Sequence, residues 1–94
     1  MTKAEVISII SDKTGVDKAV TSITVEAFFQ TVKDSLASGE AIYVRGFGSF
    51  VNKKRAEKKA RNISQKTTVT VPAHFIPSFK PSKEFVEEVK TNVK

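Results

Sequence analysis

The chain has 94 residues, with 16 Lys or Arg against 10 Asp or Glu, a single His and no Cys. That length suits one domain with a modest core, and the composition excludes disulfides, thiolate metal sites and, with His74 alone, a zinc cluster. No apolar run approaches the ~20 residues of a membrane span, and the opening MTKAEVISIISDK is too broken by serines to be a signal peptide, so a cytoplasmic protein without a membrane partner is expected.

Thr2-Lys3-Ala4-Glu5 reads as a capping box, in which the Thr hydroxyl takes the Glu5 amide. Val6, Ile7, Ile9 and Ile10 then form a helical apolar stripe that should end before Gly15. Asp17 is placed to cap a second, longer helix. Its apolar positions are Val20, Ile23, Ala27, Phe28, Val32 and Leu36, with Phe29 widening the stripe and Gly39 as the stop.

After Gly39 the texture changes. AIYVRGFGSFV is β-branched and aromatic, with Gly46 and Gly48 as punctuation, and TTVTVP alternates Thr with Val69 and Val71 up to Pro72. Gly46 and Gly48 resemble a phosphate loop only superficially. Position 51 is Val where a third glycine would stand, so a tight β turn is the better reading. In IPSFKPSKEFVEEV, Ser82 should cap a short last helix, with Glu84 at its positive end and Phe85, Val86 and Val89 on its apolar face.

Residues 53–61 are pulled two ways. Lys, Ala, Arg and Glu are good helix formers, and Glu57 stands four before Arg61. The stretch nevertheless continues one strand and is followed at hairpin distance by another, which favours an extended ribbon. On a two-residue period Lys53, Arg55, Lys59, Arg61 and Ile63 share a face, with Glu57 the exception unless a bulge adjusts the register.

The charge is concentrated. Nine basic residues lie between Lys53 and Lys83 against Glu57 alone, while the remainder of the chain is slightly acidic. Such a segment marks a polyanion binder; nucleic acid is the commonest partner, with anionic lipid and acidic protein as the others. Ile63 stands inside this run without an apolar neighbour. A polar hairpin is marginal by itself, so the body must anchor it, and seven Phe in short elements suggest two copies sharing one core. Nothing supports catalysis: the His is solitary, and most carboxylates lie far in sequence from the basic segment.

RGFGSF at 45–50, RN at 61–62, VPAHFIPSFKPSK at 71–83 and a helical hairpin at 1–38 together resemble the bacterial HU/integration-host-factor family of DNA-bending proteins. The resemblance spans essentially the full length. It implies an α+β fold in one unit over 1–94. The helical hairpin covers 1–38, a three-stranded antiparallel sheet body covers 40–52 and 72–81, a β-ribbon arm covers 53–71, and the C-terminal helix covers 82–92. It also implies an intertwined dimer, most simply a homodimer with a heterodimer as the alternative, binding double-stranded DNA in the nucleoid without a cofactor or metal. The family is itself a standard example of minor-groove binders that kink DNA with apolar wedges.

Carried onto this chain, the resemblance places Arg55, Arg61 and Asn62 in the minor groove, and Lys53, Lys54, Lys58, Lys59 and Lys66 on phosphates. Lys80 and Lys83 would hold DNA along the flanks of the body, with Lys3 and Lys18 as further candidates. Phe29, Phe47, Phe50 and Phe79 are core or dimer residues, and His74 a surface residue at the arm base. The family usually carries Pro after Arg-Asn at the tip, and Gly in the tip turn; here stand Ile63 and SQKT. Ile is also an apolar wedge, stiff at χ1, so Ile63 is expected between base pairs. From Val51 to Ile63 the arm would reach about 40 Å at ~3.3 Å per residue, against about 34 Å of rise per duplex turn, enough to follow a groove partway round. Two other functions compete with a weakly specific DNA bender: a sequence-specific subunit resembling integration host factor, and a general polyanion-binding module.

Overall fold

The computed structural model describes residues 1–62 and 67–93. Helix α1 (Lys3–Thr14) begins at Thr2, whose hydroxyl accepts the Glu5 amide at 3.3 Å, and ends at Gly15 with φ 74°. Helix α2 (Lys18–Ala37) closes differently. The Gly39 amide reaches back to Leu36 at 3.1 Å and the Glu40 amide to Ser35 at 2.9 Å, a Schellman ending made possible by the left-handed Gly39. Asp17 occupies the N-cap position of α2, but its side chain makes no capping bond, contrary to expectation. Its contribution is the negative charge at the positive end of the helix.

The strands are β1 (Ile42–Val44), β2 (Gly48–Arg55), β3 (Lys58–Asn62), β4 (Thr67–Val71) and β5 (His74–Pro81). A three-stranded antiparallel sheet has the order β1-β2-β5, and β3 pairs with β4 in a two-stranded ribbon. Five strands appear where three were read, because each long strand is interrupted. The break falls at residues 56–57 on one side and 72–73 on the other, between the pairs Arg55↔His74 and Lys58↔Val71. Pro72 has no N–H to give to a ladder, which accounts for the gap. The gaps are equal in length, so the register continues through them and no bulge is needed.

Val44, Arg45, Gly46 and Phe47 form the turn from β1 to β2, with the Phe47 amide on the Val44 carbonyl at 3.0 Å and Gly46 at φ 79°. Helix α3 (Lys83–Asn92) is fixed to that turn: the Ser82 amide donates to the Phe47 carbonyl at 2.9 Å, while the Ser82 hydroxyl caps Phe85 at 3.2 Å.

Six of the seven phenylalanines meet in one cluster. Phe47 lies 5.0 Å from Phe79 and stacks on Phe85 at 5.3 Å; Phe50 touches Phe79 at 5.2 Å and Phe28 at 6.3 Å, and Phe28 meets Phe29 edge-on. The cluster is open on one side. Phe28, Phe29 and Phe47 remain 46%, 48% and 42% exposed, and Ile7 is the single buried large apolar side chain among the described residues. Val20 and Ile23, read as part of the buried stripe of α2, are more exposed still. The radius of gyration is 18.7 Å, against roughly 12–13 Å for a compact domain of this length.

Candidate nucleic-acid interface

Strand alternation sorts the basic residues of the sheet into two sets. Phe50 opposes Phe79 across β2 and β5, and their rings meet Phe28 of α2 and Phe85 of α3, so this face of the sheet is turned to the helices. Asn52 lies on the same face, bonded to the Leu36 carbonyl. The other face therefore carries the cross-strand pairs Ser49–Lys80, Val51–Ser78, Lys53–Ile76 and Arg55–His74.

On that outer face Lys80, Lys53, Arg55 and His74 are all exposed. Lys80 stands opposite Ser49, four residues before Lys53, a separation of about 13 Å along the strand. A cationic row thus runs from the body of the sheet to the root of the ribbon, interrupted by Val51, Ser78 and Ile76. The spacing of about 7 Å between Lys53 and Arg55 matches successive phosphates on one strand of a nucleic acid, so each could meet its own oxygen. The row carries positive charge and hydroxyl donors, and no group of three or more potential metal ligands occurs among the described residues.

The predicted residues do not all join this row. Lys54 falls on the helix-facing side, opposite Phe75. Farther out, the register opposes Lys58 to Val71, Lys59 to Thr70, Arg61 to Thr68 and Asn62 to Thr67. Ile63 and Lys66 lie outside the described residues. Lys83 is exposed at the start of α3, beside the N-cap Ser82. Lys3 is engaged elsewhere: its ammonium pairs with the Glu26 carboxylate of α2 and holds that carboxyl below its ordinary range through the hydrogen bond and the charge.

His74 was not among the residues expected to bind. Its Nδ1–H donates to the Pro72 carbonyl at 2.9 Å, and it faces Arg55 across the ladder. The sequence signal that would have found it is the pairing of 55 with 74, which becomes visible only once β2 and β5 are aligned.

Residues 1–90 match the family of bacterial DNA-binding proteins. The chain is 38% identical over 90 residues to the SPbeta prophage-derived DNA-binding protein HU 2 of Bacillus subtilis, covering 96% of this chain and 98% of that one. It is 38% identical over 95 residues to the integration host factor subunit beta of Marinobacter nauticus, covering 100% and 97% of the two chains. Among solved structures, Anabaena HU in a cocrystal with DNA superposes with a TM-score of 0.89 at 29% identity, covering 95% of this chain and 97% of that one.

Proposed function

This chain belongs to the HU/integration-host-factor family of bacterial DNA-binding proteins, and on that premise we propose that it acts as a homodimer that binds duplex DNA through the minor groove and bends it. Members of the family are architectural proteins and not enzymes. The observation that carries the proposal is the outer row of Lys80, Lys53 and Arg55, continuous with a ribbon that leaves the sheet in unbroken register. The half-exposed phenylalanine cluster supports the dimer, since a second copy would cover rings that one chain leaves in water.

Affinity in this reading comes chiefly from phosphates. Lys53, Lys58, Lys59, Lys66, Lys80 and Lys83 neutralise the backbone, while Arg55, Arg61 and Asn62 occupy the groove. Lys54 belongs with them only if DNA wraps around the ribbon edge, because the sheet turns it to the opposite face. Ile63 enters a base step, unstacking it at a cost of roughly a few kcal/mol that contacts to the bent duplex offset. With weak sequence preference, such a protein would be spread over the nucleoid in the cytoplasm.

A duplex labelled at both ends tests this directly, since energy transfer reports the bend and its titration reports affinity. Wild-type protein should shorten the end-to-end distance, and with about ten phosphate contacts per dimer, log K should fall against log salt with a slope near −9. Ile63→Ala should lose more of the bend than of the affinity. A complex whose DNA stays straight overturns the architectural reading; equal affinity for RNA, linear DNA and distorted DNA would favour a general polyanion binder.

One observation favours a second reading. The match to an integration host factor subunit is as high as the match to HU and covers the full chain, which suits a sequence-specific subunit of a heterodimer. Selection from random duplexes separates the two: an enriched consensus supports the specific subunit, and an unenriched pool the weakly specific dimer.

A further inference from the structure

We propose that His74 is a phosphate-contacting residue at the root of the arm, and that its protonation ties the strength of DNA binding to pH. The inference rests on the DNA-binding reading above and extends it to a residue that composition and resemblance left as plain surface.

Three features place His74 in that role. It is exposed on the outer face of the sheet, in the same row as Lys53, Arg55 and Lys80. Its Nδ1–H is held by the Pro72 carbonyl at 2.9 Å, which fixes the tautomer and the ring, and Nε2 has no partner among the described residues. Its position is structurally determined too: His74 is the first residue of β5, where the ladder resumes after the Pro72 gap, directly across from Arg55.

The charges around the ring explain why an anion matters. Arg55 is its cross-strand partner, and Lys53 lies one pair farther into the sheet on the same face. Glu57, in the link beyond Arg55, is the single acidic group on the neighbouring stretch of the opposing strand. From its own strand the ring has Ile76 on the same face, and Pro72 behind it, neither of them charged. β1 ends its pairing at Phe50 and Gly48 and does not extend to this end of the ribbon. A DNA phosphate that reaches Arg55 and Lys53 comes within reach of the ring as well, and an imidazolium offers it a further donor at Nε2. Linkage is reciprocal: if the phosphate favours the proton, the proton strengthens binding of the phosphate.

The chain has no other histidine, so a side-chain response in this range is traceable to one residue. The test is a salt titration of a rhodamine-labelled random-sequence duplex with the full chain, at about pH 5.5 and about pH 7.5, which bracket the range where histidine changes charge. One additional phosphate contact per subunit should steepen the slope of log K against log salt by about 1.8 per dimer in acid, at about 0.9 per contact. His74→Ala should keep the shallower slope at both pH values, and His74→Lys the steeper slope at both. A wild-type slope that does not change with pH, or an acid response that persists in His74→Ala, overturns the proposal while leaving DNA binding intact. Absence of binding at both pH values overturns the DNA-binding reading itself. Circular dichroism of both variants establishes that the fold is retained, as expected for an exposed side chain.

Discussion

The Asn52 side-chain amide donates to the Leu36 carbonyl at 2.8 Å, tying β2 to the last turn of α2. The Leu36 carbonyl already accepts the Gly39 amide of the Schellman ending, and the strand gives it a second donor. The bond is partly buried and lies three residues before Arg55, so it sets the angle at which the ribbon root leaves the helices. Replacing Asn52 by Ala should cost about 1 kcal/mol, the net worth of such a bond, and lower the melting temperature by about 4–8 °C. Calorimetry checks this; an unchanged midpoint would mean that the bond is not maintained in solution.

Gly48 is irreplaceable for a reason of space. A Cβ there would stand 2.5 Å from the Lys80 carbonyl and 2.7 Å from the Phe79 ring, against backbone and a packed aromatic. Gly48→Ala should therefore destabilise by about 3 kcal/mol, at the upper end of overpacking costs. Gly39→Ala makes the informative comparison. Nothing lies within 4 Å of its Cβ, and the cost there is the left-handed backbone alone, about 1–2 kcal/mol. Urea midpoints should rank Gly48→Ala below Gly39→Ala, and both below wild type.

Phe79 sits at the centre of the aromatic cluster, touching Phe47, Phe50 and Phe85, yet is 37% exposed in the single chain. If a second copy covers it, Phe79→Ala should cost on the order of 3–5 kcal/mol and shift the sedimentation equilibrium toward monomer. In wild-type protein the melting temperature should then rise with concentration, as mass action requires for a folded dimer. A concentration-independent transition would show that one chain is stable without a partner.

The Lys3–Glu26 pair gives a pH signature in the helical hairpin. Lys3 lowers the Glu26 pKa in the folded state, so the folded chain binds fewer protons there than the unfolded one. The resulting stabilisation is present above the unfolded value, near 4.5, and is lost as pH falls through the lower folded value. Glu26→Gln should melt slightly below wild type at neutral pH and merge with it in acid. Both side chains are exposed, so the neutral-pH difference should be small and should shrink with added salt.

Helix ends were legible because their chemistry is local. Thr2, Ser82 and Gly39 each do what their side chain or lack of one dictates within a few residues. The ribbon at 53–62 was legible too, once its flanking strands were weighed against the helical propensity of Lys, Ala and Arg. The division of the basic residues was not. Lys53 and Lys54 are indistinguishable as neighbours in a charge run, and only the alignment of β2 with β5 sends one outward and the other toward Phe75. The same alignment brings Lys80 and His74 into the row from a distant part of the chain. The apolar stripe of α2 is present as a pattern, but Val20 and Ile23 remain largely exposed among the described residues.

The equal gaps at 56–57 and 72–73 on the two opposing strands impose a rule on length. One residue added to the 56–57 link without a compensating residue opposite would slip the outer ladder by one place and exchange its two surfaces. Everything beyond the proline would then present the wrong side to whatever the root already grips. Relatives with longer or shorter fingers should therefore have grown or lost residues in matched sets on both strands, and chimeras that splice a foreign fingertip onto this root should work only when that parity is preserved.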